Sequence, residues 1–203
     1  MADEIAPGID VWARANGFAA SDDEFGGATP FLRLGELVTT DSCYRGEMGG
    51  RTAWVGEVSI GSPNLSAEFG GDGITAQGFT VVLVRMDASA WPRLSVHPSR
   101  FPDHDLLRRA ARLDHRVRPV SAEMDEHYRV ITAREIPDER LGALLTPDLA
   151  GWWLAQDPQI AVDVEDHPDD AEGFLSVARE GVALGEDEVA TLAAQAARLL
   201  AAL

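Results

Sequence analysis

Four arginines lie close together in the middle of the chain, and arginine binds carboxylates and phosphates through two parallel hydrogen bonds. Arg108, Arg112 and Arg116 are spaced at i, i+4 and i+8, so a helix that ran this far would carry them as one stripe, with Arg109 beside it. His104 precedes them by about one turn and has the chemistry to move a proton. The segment therefore predicts a site for a small anion or an acidic partner surface, unless these arginines pair with the chain's own carboxylates.

The distribution of charge makes this segment unusual. The 203 residues carry 34 Asp and Glu against 17 cationic residues, a formal charge of −17, yet residues 93–118 hold seven arginines and three acids. All of the cationic side chains are arginine, so chemistry that needs a lysine amine is excluded: a phosphate-binding loop lysine, a pyridoxal aldimine or a Schiff base. The acidic surface predicts that neither nucleic acid nor an anionic membrane surface is a partner.

Metal and cofactor motifs are missing from the sequence. The acidic segment 163–172 fails the spacing of a calcium-binding EF-hand loop, because Pro168 stands where glycine is needed and Phe174 where glutamate is needed. The five histidines are scattered and form no zinc motif. No serine-nucleophile elbow or dinucleotide-binding glycine pattern is present. We predict no metal, no cofactor and no catalytic residue.

Two further positions carry chemistry. Cys43 is the single cysteine, and with Arg45 on the same face of a strand it is either a reactive thiol or a small buried apolar residue. Trp152 and Trp153 point about 100° apart on a predicted helix, so one belongs to the core and the other reaches the surface. The exposed tryptophan is a candidate for partner binding.

The elements that must position these residues alternate in character along the chain. In the first half we predict a helix at 7–15 ended by Asn16-Gly17, strands at 31–38 and 41–45, and a turn at 47–50 leading into a strand at 52–60. A strand at 79–86 that is buried on both faces, a strand at 93–97 and a helix at 102–113 follow.

The second half repeats this mixture of strands and helices. Strands are predicted at 117–123 and 128–135, a short helix at 137–145, and a helix begun by Thr146-Pro147-Asp148. A hairpin of 160–164 with 173–179 and a long C-terminal helix at 186–203 complete the chain. The fold class is therefore α+β: mainly antiparallel sheet with helices packed on one face, in a single compact unit of residues 1–203 or in two structurally related halves of about 1–118 and 119–203.

Several segments resemble a widespread group of uncharacterised actinobacterial proteins. They are TPFLRLGELVTTDSCYRGEMGGRTAWVGEVSIG, the P-x-L-x-V-x-P pattern at 92–98 and the L-T-P-x-L pattern at 145–149. Many members of that group follow transmembrane segments. The resemblance implies the α+β fold and no particular activity.

These observations lead to a functional expectation with one alternative. The leading hypothesis is a non-catalytic cytoplasmic protein that binds another macromolecule, as an adaptor, chaperone-like or inhibitor-like protein, and that is able to form a homo-oligomer. The N-terminus lacks a signal peptide pattern, and no apolar run is long enough to cross a membrane. The alternative is an enzyme or sensor for a small anionic ligand, clamped by the Arg stripe of residues 108–116 with His97, His104 or His115 as acid or base.

Overall fold

The computed structural model describes eleven stretches of the chain. They are residues 7–23, 25, 38–62, 75–87, 94–99, 115–117, 122–132, 145–157, 159–166, 172–182 and 184–202. The described strands are β1 (Ala19–Ala20), β2 (Val38–Met48), β3 (Arg51–Ser62), β4 (Thr75–Asp87), β5 (Leu94–Pro98), β6 (His115–Val117), β7 (Tyr128–Thr132), β8 (Ala161–Asp166) and β9 (Glu172–Glu180). The described α-helices are α1 (Pro7–Ala15), α2 (Ala122–His127), α3 (Pro147–Leu154) and α4 (Glu186–Ala202).

The described strands form one sheet in the order β1-β2-β3-β4-β9-β8-β5-β7-β6, and every pairing is antiparallel. Strands β8 and β9 come from residues 119–203 and lie between β4 and β5, which come from residues 1–118. The two segments thus contribute interleaved strands to one sheet. The predicted α+β class with an antiparallel sheet and a long C-terminal helix is confirmed.

The β2–β3 hairpin forms where the sequence predicted it. Met48 pairs with Arg51 across a two-residue turn, and Gly49 and Gly50 have φ angles of 59° and 73°. Two consecutive residues with positive φ match the twist of the flanking strands, and glycine adopts this conformation without steric cost.

The larger core lies between the helices and one face of the sheet, called here the helix face. The apolar stripes of all four described helices enter this core through residues such as Ile9 of α1, Met124 of α2, Trp153 of α3 and Leu192 of α4. They pack against alternate strand residues. These include Val55, Val82, Val96, Val162 and Val177. Period-two side chains on the strands meet helices with a 3.6-residue period, which explains why the helices lie on one face.

The opposite face of the sheet, called here the second face, carries a smaller apolar cluster. Its members are Phe25, Cys43, Trp54, Val58, Phe79, Val81, Leu83, Ala161, Phe174 and Ala178. Consecutive residues of β4 enter the two cores alternately, because Val81 and Leu83 belong to this cluster whereas Val82 and Val84 belong to the helix face. The prediction that this strand is buried on both faces is confirmed.

At the start of helix α4, a glutamate side chain binds the backbone. The Glu188 carboxylate accepts a hydrogen bond from the Gly185 backbone N–H at 2.9 Å and another from the Arg179 guanidinium at 2.6 Å. These two donors hold the pKa of Glu188 below its usual value, with the backbone N–H as the larger cause. A glutamate three residues into a helix that binds back to the preceding N–H stabilises that helix end, so α4 is anchored to β9 at its start.

One segment differs from the sequence prediction. Residues 117–123 were predicted to form a strand, but β6 ends at Val117 and the helix α2 begins at Ala122. The acids Glu123 and Asp125 lie in the first turn of α2, where they favour a helix start, and Met124 buries its side chain in the helix-face core. The predicted helices at 102–113 and 137–145 lie outside the described residues, except for Leu145. Within the described residues, no helix has both the length and the apolar character to cross a membrane.

Candidate functional site

The predicted arginine stripe cannot continue through Arg116. This residue lies in strand β6, where it pairs with Ile131 of β7, so it does not follow Arg112 on a helix. Arg108, Arg109, Arg112 and His104 lie outside the described residues. The predicted stripe is therefore wrong at Arg116. Side chains of a strand alternate with a period of two residues, so the helical i, i+4 spacing does not extend to this arginine.

The two adjacent tryptophans have different environments. Helix α3 begins as predicted, with the Thr146 hydroxyl accepting a hydrogen bond from the Leu149 N–H at 3.2 Å and Pro147 at the first position. Trp153 is 2% exposed and packs edge-on against Tyr128, with ring centroids 6.2 Å apart. Trp152 is half-buried at the surface. Trp153 therefore belongs to the core and is removed from the candidate binding residues, whereas Trp152 remains.

An arginine from another helix lies over the ring of Trp152. The guanidinium carbon of Arg198, in the exposed part of α4, lies 4.9 Å from the centroid of the Trp152 ring. A guanidinium at this distance over an indole face is in the range of a cation–π contact, which contributes about 0.5–1 kcal/mol at an exposed site. The pair is named here the Trp152–Arg198 surface.

Two glutamines fix the helices on either side of this surface. The Gln195 side-chain amide of α4 donates to the Gln156 side-chain oxygen at 2.6 Å, and the Gln156 amide donates to the Trp152 carbonyl oxygen. Because Gln156 follows the end of α3, these bonds connect α3 directly to α4 beside the tryptophan. The connection holds Trp152 and Arg198 in place relative to each other.

A narrow apolar space lies between α3, α4 and the sheet. Its lining is entirely apolar: Leu94, Leu145, Leu149, Trp153, Val162, Val164, Leu175, Leu199 and Ala202. It has room for roughly one water molecule and offers no polar partner to hold one. We interpret it as imperfect packing between the helices and the sheet, because a ligand cavity would be far larger, on the order of 300 Å³ or more.

The most chemically suggestive buried pair lies on the second face. The His97 Nε2 atom of β5 is 3.0 Å and 3.2 Å from the two carboxylate oxygens of Asp163 in β8. The two residues are 3% and 6% exposed. A carboxylate that binds one ring nitrogen fixes the orientation of the imidazole, as in many acid–base sites. Asp163 lies in the predicted strand of residues 160–164, and its buried partner was not predicted.

Small polar residues surround this pair. The strand register places Ser176 of β9 and Ser95 of β5 on either side of Asp163. The Ser176 hydroxyl is buried and has no hydrogen-bond partner among the described residues. Ser176 and His97 thus lie on opposite sides of Asp163, whereas a serine nucleophile must be next to the imidazole that activates it. The arrangement of Ser176 does not match a catalytic triad.

Cys43 is buried in the smaller core. It contacts the apolar cluster of the second face and is 8% exposed. Its neighbour Arg45 is directed to the Asp23 carboxylate at 3.3 Å, and Asp23 also accepts a hydrogen bond from the Trp54 indole N–H at 2.9 Å. Of the two readings of Cys43, the buried apolar residue agrees better with these contacts.

Sequence reasoning missed Arg198 and the partnership of His97 with Asp163. Arg198 is the one arginine of α4, which is otherwise rich in alanine. A single cation on such a helix could have been chosen from the sequence as a candidate binding residue. The two residues of the buried pair are 66 positions apart, and their meeting depends on the order of the strands. Among the described residues, no group of three or more His, Cys, Asp or Glu side chains is placed to hold a metal ion.

Comparison with known proteins gives no match: no family model, no curated protein and no solved structure is similar to this chain at a significant level. The resemblance to uncharacterised actinobacterial proteins therefore stays a prediction.

Proposed function

We propose that this chain is a non-catalytic protein that binds another protein through the Trp152–Arg198 surface, and that it works in the cytoplasm. The observation that carries the proposal is a half-buried tryptophan with the guanidinium of an exposed arginine over its ring, next to a hydrogen-bonded pair of glutamines. Tryptophan and arginine are the residues most enriched among those that dominate binding energy at protein interfaces. The strongly acidic surface of the rest of the molecule favours a partner of basic overall charge.

The test compares variants of the immobilised chain in a native lysate. Arg198→Ala removes the exposed guanidinium and leaves the core unchanged. Arg51→Ala is the matched control, because Arg51 is an exposed arginine in β3, directly after the β2–β3 turn. We expect the wild type and Arg51→Ala to retain the same protein. Arg198→Ala should retain it at least about 30-fold more weakly, the effect of a 2 kcal/mol contact.

Two outcomes would contradict this proposal. If the wild-type chain retains nothing reproducibly, the binding function fails. If Arg198→Ala retains the partner as well as Arg51→Ala does, the chain binds through a different surface.

The oriented imidazole of His97 supports the second candidate, an enzyme or sensor for a small anion. In this candidate Asp163 orients His97, and the arginines of residues 108–116 bind the anion. Inorganic phosphate is the probe, and the His97 ring resonance in NMR spectra is the readout. Phosphate should shift this resonance in the wild type and not in a chain with Arg108, Arg112 and Arg116 all changed to alanine; no shift in the wild type rejects the candidate.

A further inference from the structure

Arg198 differs from the arginines of the ion pairs in what it binds. Arg14, Arg45 and Arg179 each contact a carboxylate of this chain, Asp10, Asp23 and Glu188 respectively. Within the described part of the chain, Arg198 has its contact with the Trp152 ring and no carboxylate partner. In a chain with 34 acids and 17 arginines, internal carboxylates are plentiful. The position of Arg198 keeps its N–H donors available to another molecule.

The contact with Trp152 leaves this guanidinium able to bind an acceptor from another molecule. Its carbon lies over the ring at 4.9 Å and Arg198 is exposed, so the N–H donors that point away from the ring reach solvent. Two parallel donors on a rigid edge match the two oxygens of a carboxylate. The hydrogen bonds through Gln156 and Gln195 hold α3 against α4, so little ordering is needed before binding.

We propose that the Trp152–Arg198 surface recognises the C-terminal carboxylate of a partner chain whose last residue is apolar. The inference rests on the proposed binding function and names the group that is bound. A C-terminus carries its carboxylate and its last side chain on one Cα atom, so one can meet Arg198 while the other covers the adjacent Trp152 ring. A run of Asp and Glu side chains is disfavoured, because it would be repelled by a molecule with a formal charge of −17, whereas a chain end brings a single negative charge.

Three short peptides test the inference on the purified full chain. They are acetyl-Ala-Ala-Leu with a free carboxylate, the same peptide as its C-terminal amide, and acetyl-Ala-Glu-Leu-amide, whose carboxylate is on a side chain. The readouts are the Trp152 indole N–H and Arg198 Nε–H resonances in NMR titrations, assigned with Trp152→Phe and Arg198→Ala. We expect the free acid to bind about 10-fold or more tightly than either amide, which corresponds to one charge-assisted pair of hydrogen bonds.

Variants separate the planar guanidinium from simple charge. Arg198→Lys keeps the charge but loses the two-pronged edge, and should weaken binding of the free acid about 10-fold. Arg51→Ala should leave it unchanged. Equal binding of the acid and its amide, no binding of the acid at millimolar concentration, or unaltered binding by Arg198→Ala would each overturn the inference. Tighter binding of the glutamate peptide would overturn the assignment to a chain end.

Failure of this inference is distinguishable from failure of the proposed function, because the peptides need no natural partner. If the lysate experiment captures a protein through Arg198 while no peptide binds, the binding function stands and the C-terminal carboxylate is wrong. If the free acid binds but the lysate experiment captures no protein, recognition of a C-terminal carboxylate stands and the proposed binding of a natural partner is wrong.

Discussion

At the scale of single residues, the described group whose acidity the fold changes most is Tyr44. Burial raises the pKa of Tyr44 from 10.0 to about 12, helped by the Asp10 carboxylate, which accepts a hydrogen bond from its hydroxyl at 3.3 Å. The folded state therefore favours the neutral phenol. Stability that depends on Tyr44 is full below pH 10 and is lost as the pH rises toward 12.

This shift can be measured directly, because the chain has two tyrosines. In a Tyr128→Phe background, phenolate absorbance should show Tyr44 ionising near pH 12. Asp10→Asn should move the titration to lower pH but leave it above 10, since burial is the larger cause. Near-ultraviolet circular dichroism checks that the fold persists during the titration. Ionisation of folded wild-type Tyr44 near pH 10 would contradict the assignment.

The buried His97–Asp163 pair makes a second prediction at this scale. Asp163→Leu and His97→Leu each remove one partner of a buried hydrogen-bonded pair, and each should cost roughly 3 kcal/mol of unfolding free energy. The double variant removes both groups, so its cost should be lower than the sum of the single costs by at least about 1 kcal/mol. Urea denaturation of the four chains measures the cycle. Additive costs would show that the two side chains do not interact.

At the scale of elements, the contact between α1 and the start of α4 depends on a single glycine. A Cβ atom at Gly8 would lie 2.1 Å from the Leu184 carbonyl oxygen and 2.8 Å from the Glu186 nitrogen. Backbone atoms cannot move aside as a side chain can. The close approach of the two helix starts is therefore possible with glycine and with no larger residue.

Alanine normally stabilises a helix relative to glycine, but at position 8 it should destabilise the protein. Gly8→Ala is expected to lower the unfolding free energy by about 1–3 kcal/mol through overpacking. Gly151→Ala in α3 is the control, because nothing lies within 4 Å of its Cβ position, and it should raise stability by up to about 1 kcal/mol. Thermal and urea unfolding of both variants give the comparison. The same sign for both changes would contradict the packing described for Gly8.

Elements with strong local signals were predictable from sequence. The start of α3 carries a threonine cap and a proline, and the β2–β3 turn carries two glycines, so local chemistry determines both. Ala122 and Glu123 were assigned to a strand but lie in α2, because β-branched residues near Val117 favour a strand while the acids Glu123 and Asp125 favour a helix start. The candidate site was harder to predict. The angle between Trp152 and Trp153 predicted that one of them reaches the surface, but which one does so, and its contact with Arg198, depend on the packing of α3 on α4.

At the scale of the whole molecule, strand order joins the two parts of the chain. β9 and β8 separate β4 from β5, so the strands of residues 1–118 are interrupted in the sheet, and β5 separates β8 from β7, so those of residues 119–203 are interrupted as well. Sequence reasoning could not reach this order, because register and neighbour choice arise from contacts between distant strands. The sequence left open whether the chain is one unit or two related halves, and the interleaved strand order makes this question testable.

We predict that the chain unfolds in one transition and that neither part folds alone. Separately expressed residues 1–118 and 119–203 should each lack a cooperative transition, whereas the full chain should show coincident transitions by circular dichroism and tryptophan fluorescence. Each part would expose sheet edges that the other part normally covers. A dispersed NMR spectrum from either isolated part would show that the halves are independent folding units.

The central position of β9 also has a consequence for how the protein is made. Residues 172–180 leave the ribosome well after residues 75–87 of β4, yet they supply the neighbour of β4 in the sheet. Until then the β2–β3–β4 group has an unpaired edge and two apolar faces. Such a nascent edge can pair with other chains, and contacts this distant in sequence form slowly. Synthesis at low temperature or with a holding chaperone should therefore raise the soluble yield more for this chain than for a protein whose neighbouring strands follow one another in sequence.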